Sequence, residues 1–438
     1  MSGETEAKMG RMAALGLLAA VLVSYVAAFG YTRWCLVGLA RETVRIAYPV
    51  FATVFVCTVE FAARAMERKG PAWHWFWAAC WLVLSASIGC WGFHPFPIGL
   101  WEFLVWHALA IYWVLARSGV LGEGRSGIML PLDFFLGSYA GLANMPLRMR
   151  SVRRSIAGLR GDVTAAGAKR LSGIVASLFI AAGVSLGAWA LLASGDAKFA
   201  SFTDRLGDFA FKVLVWIVEQ ISGINLVSFM ISIPAGAWLF GLVGGNLRRG
   251  APFVRRPAFE RFLGLLPRLP RAAAVTVPLS LLILYLVFFG VQAADFSVAV
   301  VAGEPMSARR ACVFAVDGFW YLFWIMVLDF AILGTLHYLC GNVSKEKWAI
   351  RILLAAFLVA GFAVGLLGGW KLWNYIQLGL TPRRLLSAWF LCVMMVWNAL
   401  AFARLFVSFQ AVRWAICTIG ALFTLLCAIP VLKICVIT

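Results

Sequence analysis

The chain has 438 residues, 63% of them hydrophobic and only 13% charged, with a formal net charge of +19. Soluble globular chains carry about a quarter charged residues, so too little polar surface is available to wrap a water-soluble body of this size. The apolar residues come in runs near the length of about twenty that a helix needs to cross a bilayer. The ten-residue alternating segments of a membrane barrel are absent.

The expected fold class is therefore all-α: a polytopic helical membrane protein with about 11 transmembrane helices and added interfacial amphipathic helices. Spans are predicted over 12–30, 46–63, 72–91, 98–116, 171–194, 223–245, 272–293, 313–340, 352–370, 385–404 and 414–434. The leader "MSGETEAKMGR" is partly acidic, and the apolar run behind it exceeds a signal-peptide core, so the first span reads as a retained helix. With the N-terminus inside, the inner segments hold about twice the Lys and Arg of the outer ones, which favours a cytoplasmic N-terminus. Residues 1–116 then form an N-terminal four-helix membrane part and 117–170 a basic cytoplasmic loop. Residues 171–438 form a C-terminal membrane part of about seven helices.

Basic residues flanking membrane helices account for the positive charge, and no nucleic-acid-binding motif occurs, so no nucleic-acid partner is expected. Within 117–170, "NMPLRMRSVRRSIAGLRGD" places apolar residues at helical spacing with arginines between them. That pattern predicts an amphipathic helix on an anionic inner leaflet, with Arg153 and Arg154 as lipid-phosphate contacts. The connector 246–271, with Arg248 and Arg249 and four prolines, reads as a second surface-hugging segment. Both loops are candidate docking sites for a protein partner. The stretch 196–221 is predicted to form an interfacial helix before the sixth span. Glycines recur four apart at Gly183/Gly187, Gly241/Gly245 and Gly361/Gly365/Gly369, which suits close helix packing.

Near the C-terminus, "WNYIQLGLTPRRLLSAWF" breaks two apolar runs with a turn. Thr381 suits an N-cap and Pro382 the first helical position. Trp373 and Tyr375 suit the headgroup level. From Pro382 to Arg404 the helix is about 33 Å long and basic at both ends. Arg383 and Arg384 lie where positive charge opposes the helix dipole. A lipid phosphate, or a carboxylate such as Asp295, Glu304 or Asp317, is the counter-charge expected there.

Polar and ionisable groups inside spans are costly and mark candidate sites. Asp329, His107 and Asn398 are such groups, with Glu102 one turn and more before His107 and His337 about two turns past Asp329. Together they are the candidate midplane polar site for a proton, ion or headgroup. Glu60 has Arg64 at i+4 as its expected partner. Ten cysteines sit mostly in apolar runs, with no CxxC and no Cys/His cluster at zinc spacing. Neither a metal nor a cofactor is expected, and no catalytic residue is assigned. HExxH, GxSxG, P-loop and dinucleotide motifs are absent.

"YIQLGLTPRRLLSAWF" resembles the Y-x-x-x-G-L-T-x-x-R signature of a bacterial integral-membrane family, domain of unknown function 4173, related to family 4153; the match uses Tyr375, Gly379, Leu380, Thr381 and Arg384. Upstream, 302–332 resembles a second family segment through Pro305, Gly318, Phe319, Trp320 and Leu322. It departs at Arg309-Arg310-Ala311-Cys312, where the family usually has an acidic and an aromatic residue. The resemblance spans about 295–410. It implies a many-helix bacterial inner-membrane protein and no particular reaction. The first functional reading is a non-enzymatic sensor, regulator or membrane-complex subunit. The alternative is a secondary transporter or lipid-handling protein, and a membrane-embedded enzyme on a lipid-linked substrate comes third.

Overall fold

The computed structural model describes residues 11–37, 43–68, 70–122, 127–160, 208, 223–265, 269–270, 272–302, 308–340, 348–377 and 379–430. Among them no strand occurs. In chain order the helices are α1 (Arg11–Gly30), running into a π turn (Tyr31–Leu36), α2 (Val44–Ala65), α3 (His74–Trp91), α4 (Ile98–Ser118), α5 (Leu130–Ala143) and α6 (Pro146–Arg160). Then follow α7 (Gly223–Arg249), α8 (Arg256–Gly264), α9 (Ala273–Ala302), α10 (Ala308–Leu339), α11 (Trp348–Ile376), α12 (Pro382–Phe406) and α13 (Ala411–Ala428). Eight of these are long and apolar enough to cross a membrane: α2, α4, α7 and α9 to α13. α1 and α3 cover two further predicted spans. Trp75, Trp77, Trp81, Trp91 and His74 lower the mean hydropathy of α3. The predicted fifth span (171–194), the helix over 196–221 and Gly183/Gly187 lie outside the described residues.

The chain divides into two compact units, Met1–Thr43 with Ala140–Gly245, and Val44–Tyr139 with Asn246–Thr438. In the first, α1 packs on α6 and the π turn joins them to α7: Thr32 Oγ1 donates to the Ser228 carbonyl at 3.0 Å. Arg148 of α6 lays its guanidinium 3.2 Å over the Tyr25 ring. Arg153 and Arg154 point away from the packed side, as an amphipathic helix requires. The α7 glycines accept close neighbours, since a Cβ on Gly241 would collide with the Gly141 carbonyl.

In the second unit, α3 packs against α2, α4 and α13; α11 packs against α9, α10 and α12, and α12 against α13. Lipid tails are as apolar as leucine, so shape-matched packing and hydrogen bonds, not removal from water, must hold such helices together. Aromatic stacking supplies much of it. Trp81, Trp106 and Trp113 are almost wholly buried. Trp81 lies 5.2 Å from Trp106 and 6.0 Å from Trp113, with Phe55 edge-on at 5.8 Å. Such pairs contribute about 0.5–1.5 kcal/mol each. A second core joins Leu322 and Met326 of α10, Val364 of α11 and Met394 of α12. Gly365 belongs there because a Cβ would meet the Met395 and Met326 side chains.

The predicted start of α12 is as expected: Thr381 Oγ1 accepts from the Arg384 backbone N–H, with Pro382 next. Gly379 makes the turn at φ +115°, a conformation side chains resist. Arg384 donates to the Gly379 carbonyl and stacks 3.8 Å over Tyr375. Its partners are thus the turn itself, while Arg383 stays exposed. On the connector after α7, Arg248 is exposed, its carbonyl accepts from Arg68 at 2.8 Å, and Arg249 stacks 4.2 Å over Phe253.

Candidate functional site

Three helices bring two of the predicted polar residues together. Asp329 of α10 and Asn398 of α12 both face Gly361 of α11. A Cβ built there would lie 3.0 Å from Asp329 Oδ2 and 3.1 Å from Asn398 Nδ2. The sequence reading missed Tyr285 of α9, whose hydroxyl donates to Asp329 Oδ1. Its signal is a lone phenol in the otherwise apolar run "LLILYLVFF". All three side chains belong to buried residues, and Asp329 Oδ2 has no hydrogen-bond partner among the described residues.

One helical turn from this cluster a cavity opens. It has a volume of about 470 Å³. Its apolar wall includes Leu333 of α10, Leu358 of α11 and Ala401 of α12. These lie three or four positions from Asp329, Gly361 and Asn398 respectively, which is about 5 Å along each helix. The mouth is polar: His337, Arg404, Arg413, Gln410 and the Arg256–Glu260 pair of α8. Arg256 Nε donates to Glu260 Oε1 at 2.7 Å, so that pair is internally neutral. Arg404 donates to the Val407 carbonyl at 3.4 Å and Arg413 lies 4.7 Å over the Trp73 ring, so among the described residues neither is seen in an ion pair.

The other candidates sit elsewhere. His107 donates from Nδ1 to the Phe103 carbonyl at 2.7 Å, with its ring against Phe103 and Trp106. Glu102 turns from His107 to His94: its Oε2 lies 3.0 Å from His94 Nδ1 and 3.1 Å from the His94 backbone N–H. The connector 92–97 folds over the first turn of α4, which i+5 spacing cannot reveal. Burial alone would lower the His94 pKa, but the Glu102 hydrogen bond and charge, with the Ile429 carbonyl, hold it above the ordinary histidine value. Glu60 also has partners other than the one expected. Its Oε1 accepts from Arg117 Nε at 2.7 Å and lies 3.1 Å from His74 Nε2, while Arg64 stays exposed. Arg64 is displaced because Arg117 comes from within the bundle and also donates to the Arg68 carbonyl at 2.9 Å.

No curated protein and no solved structure matches the chain. The matching family model is that of the related family, 4153, not 4173. It covers residues 78–436, hence most of α3 and all of α4 to α13, with every residue of the cavity and of the Asp329 cluster. The chain belongs to the family described as Domain of unknown function (DUF4153).

Proposed function

We propose that this multi-pass membrane protein handles an anionic lipid of the inner leaflet, with its N-terminus in the cytoplasm of a bacterial cell. The observation that carries this reading is the cavity, with Arg404, Arg413 and His337 at its mouth and apolar walls ending one turn short of Asp329. A phosphate-bearing headgroup suits the mouth, where cations attract it, and an acyl chain suits the walls. Asp329, next to the cavity and inside a span, is a group able to exchange a proton. Of the earlier readings, a lipid-handling protein is favoured over a regulator because the cavity offers a ligand-sized space next to an intramembrane carboxylate.

The regulator or complex-subunit reading keeps one supporting observation. α8 has no buried residue, and Phe262 within it and Leu265 just after it are exposed. The 246–271 connector that carries it would then dock a protein partner, with 117–170 as the second surface.

Native mass spectrometry of the full chain, released from mixed phosphatidylglycerol and phosphatidylcholine bilayers, tests the proposal. Retention of the anionic lipid is expected. Two arginines near the membrane surface contribute about 1 kcal/mol each, so Arg404→Gln with Arg413→Gln should weaken retention by roughly 30-fold. Equal retention of the two lipids by the unaltered chain would refute it.

A further inference from the structure

A second polar centre lies at the other ends of the helices that carry Glu60 and Arg117. His94 of the 92–97 connector, Glu102 in the second turn of α4 and Cys427 in the last turn of α13 meet there. Their ligand atoms all lie within 4.8 Å of one another. The three residues are 5%, 0% and 0% exposed, so water does not explain how their polar atoms are satisfied.

The hydrogen bonds leave something out. His94 Nε2 faces the Ile429 carbonyl at 3.2 Å, an acceptor, and so carries a hydrogen. In neutral imidazole, Nδ1 is then a lone pair. That lone pair faces Glu102 Oε2 at 3.0 Å, itself an acceptor. Two acceptors at this distance need a cation between them. A proton would settle that one edge. It would leave Glu102 Oε1, which is buried and without a hydrogen-bond partner among the described residues, and it would give the Cys427 sulfur no role.

We propose that His94 Nδ1, Cys427 Sγ and the Glu102 carboxylate hold a divalent ion of the Zn²⁺ class. Nitrogen, thiolate and carboxylate together are the ligands of a borderline-soft ion, and Mg²⁺ or Ca²⁺ would want oxygens alone. Zn–S of about 2.3 Å and Zn–N of about 2.1 Å place tetrahedral neighbours about 3.3–3.8 Å apart. Closing the set onto an ion thus takes side-chain shifts of about an ångström. The Ile429 carbonyl on Nε2–H is the outer partner that fixes a metal-binding histidine's tautomer. Ser87 Oγ donates to the Cys427 carbonyl and anchors the helix end that supplies the thiolate. Binding releases the thiol proton and ties the α3–α4 connector to the end of α13. Sequence spacing could not show this site, because its ligands come from three separate elements.

The test uses the purified full chain in detergent, stripped with a chelator and titrated with Zn²⁺ and then Co²⁺. One ion per chain is expected, and Co²⁺ should give a thiolate-to-metal charge-transfer absorption. Cys427→Ser preserves size and should abolish that absorption. It should also weaken binding by more than the roughly 10–100-fold that loss of an outer partner costs. Glu102→Gln should weaken binding and leave the absorption in place at saturating Co²⁺. Cys417→Ser, on the same helix, should change neither. The proposal is overturned if the unaltered chain takes up no stoichiometric ion, or if Cys427→Ser binds as the unaltered chain does.

Discussion

Removing Glu60 should unfasten α2 from α3 and α4. Its Oε1 receives Arg117 Nε and His74 Nε2 at 2.7 and 3.1 Å, with the three side chains 6–10% exposed. A hydrogen bond to a charged group contributes about 1.5–3 kcal/mol, so two give about 3–6. Stripping one member from a buried ion pair costs about 3–5 kcal/mol by an independent route, since the remaining charge stays buried. Glu60→Leu is therefore expected to cost about 3–5 kcal/mol. Glu60→Gln keeps an acceptor and should cost less. Replacing both partners by apolar groups removes the stranded charge. Glu60→Leu with Arg117→Leu should accordingly cost less than the two single changes added together, by about 1–3 kcal/mol. Reversible unfolding of the full chain in mixed micelles, followed by tryptophan fluorescence, measures each variant. If Glu60→Leu unfolds with the unaltered midpoint, or the two losses simply add, the ion-pair account is wrong.

Gly361→Ala should cost about 1–3 kcal/mol by pressing on Asp329 and Asn398, read in the same unfolding assay. Gly290→Ala, with nothing within 4 Å of the added methyl, should be neutral or stabilising by up to about 1 kcal/mol. Gly241→Ala collides with backbone and cannot be relieved by a rotamer change, so it should lower the yield of folded protein by size-exclusion chromatography far more than Gly290→Ala. Thr381→Ala removes the α12 cap at an exposed position and should cost about 0.5–1 kcal/mol in the unfolding assay.

The helices were legible because their apolar runs are long and their breaks are chemically marked, as Thr381-Pro382 marks the start of α12. Asp329 and Asn398 were legible for the same reason: polar groups stand out in a greasy helix. What the sequence withheld was pairing. Tyr285 passes for an interfacial residue until it is seen bonded to Asp329. Glu60 finds Arg117, 57 positions on, before the adjacent Arg64. Glu102 reaches back to His94 through a connector whose path no periodicity encodes. Cavities also leave no linear trace, since the apolar wall residues Leu333, Leu358 and Ala401 look like any lipid-facing side chain.

These pairings share a placement that has a physical reason. In a bilayer, apolar contact alone does little to choose one helix register over another, because neighbouring registers and lipid are all equally greasy. Polar contacts can choose, yet each is costly if left unmet. The α2–α3–α4 group places them at both ends and keeps the middle aromatic. Glu60, His74 and Arg117 close one end. Glu102 and His94 close the other, and Tyr48, Trp81, Trp106 and Trp113 fill the length between. α4 carries Glu102 near its start and Arg117 in its last turn, so sliding it by one turn would strand both at once. Two clamps on one rigid rod thus fix its register more firmly than either could alone. α13 is drawn into the same frame through Ile429, whose carbonyl meets His94. The Asp329 cluster, by contrast, stands in the middle of its spans rather than near their ends, with Asp329 Oδ2 unmet among the described residues. A group retained there at that cost serves binding or proton exchange better than it serves helix register.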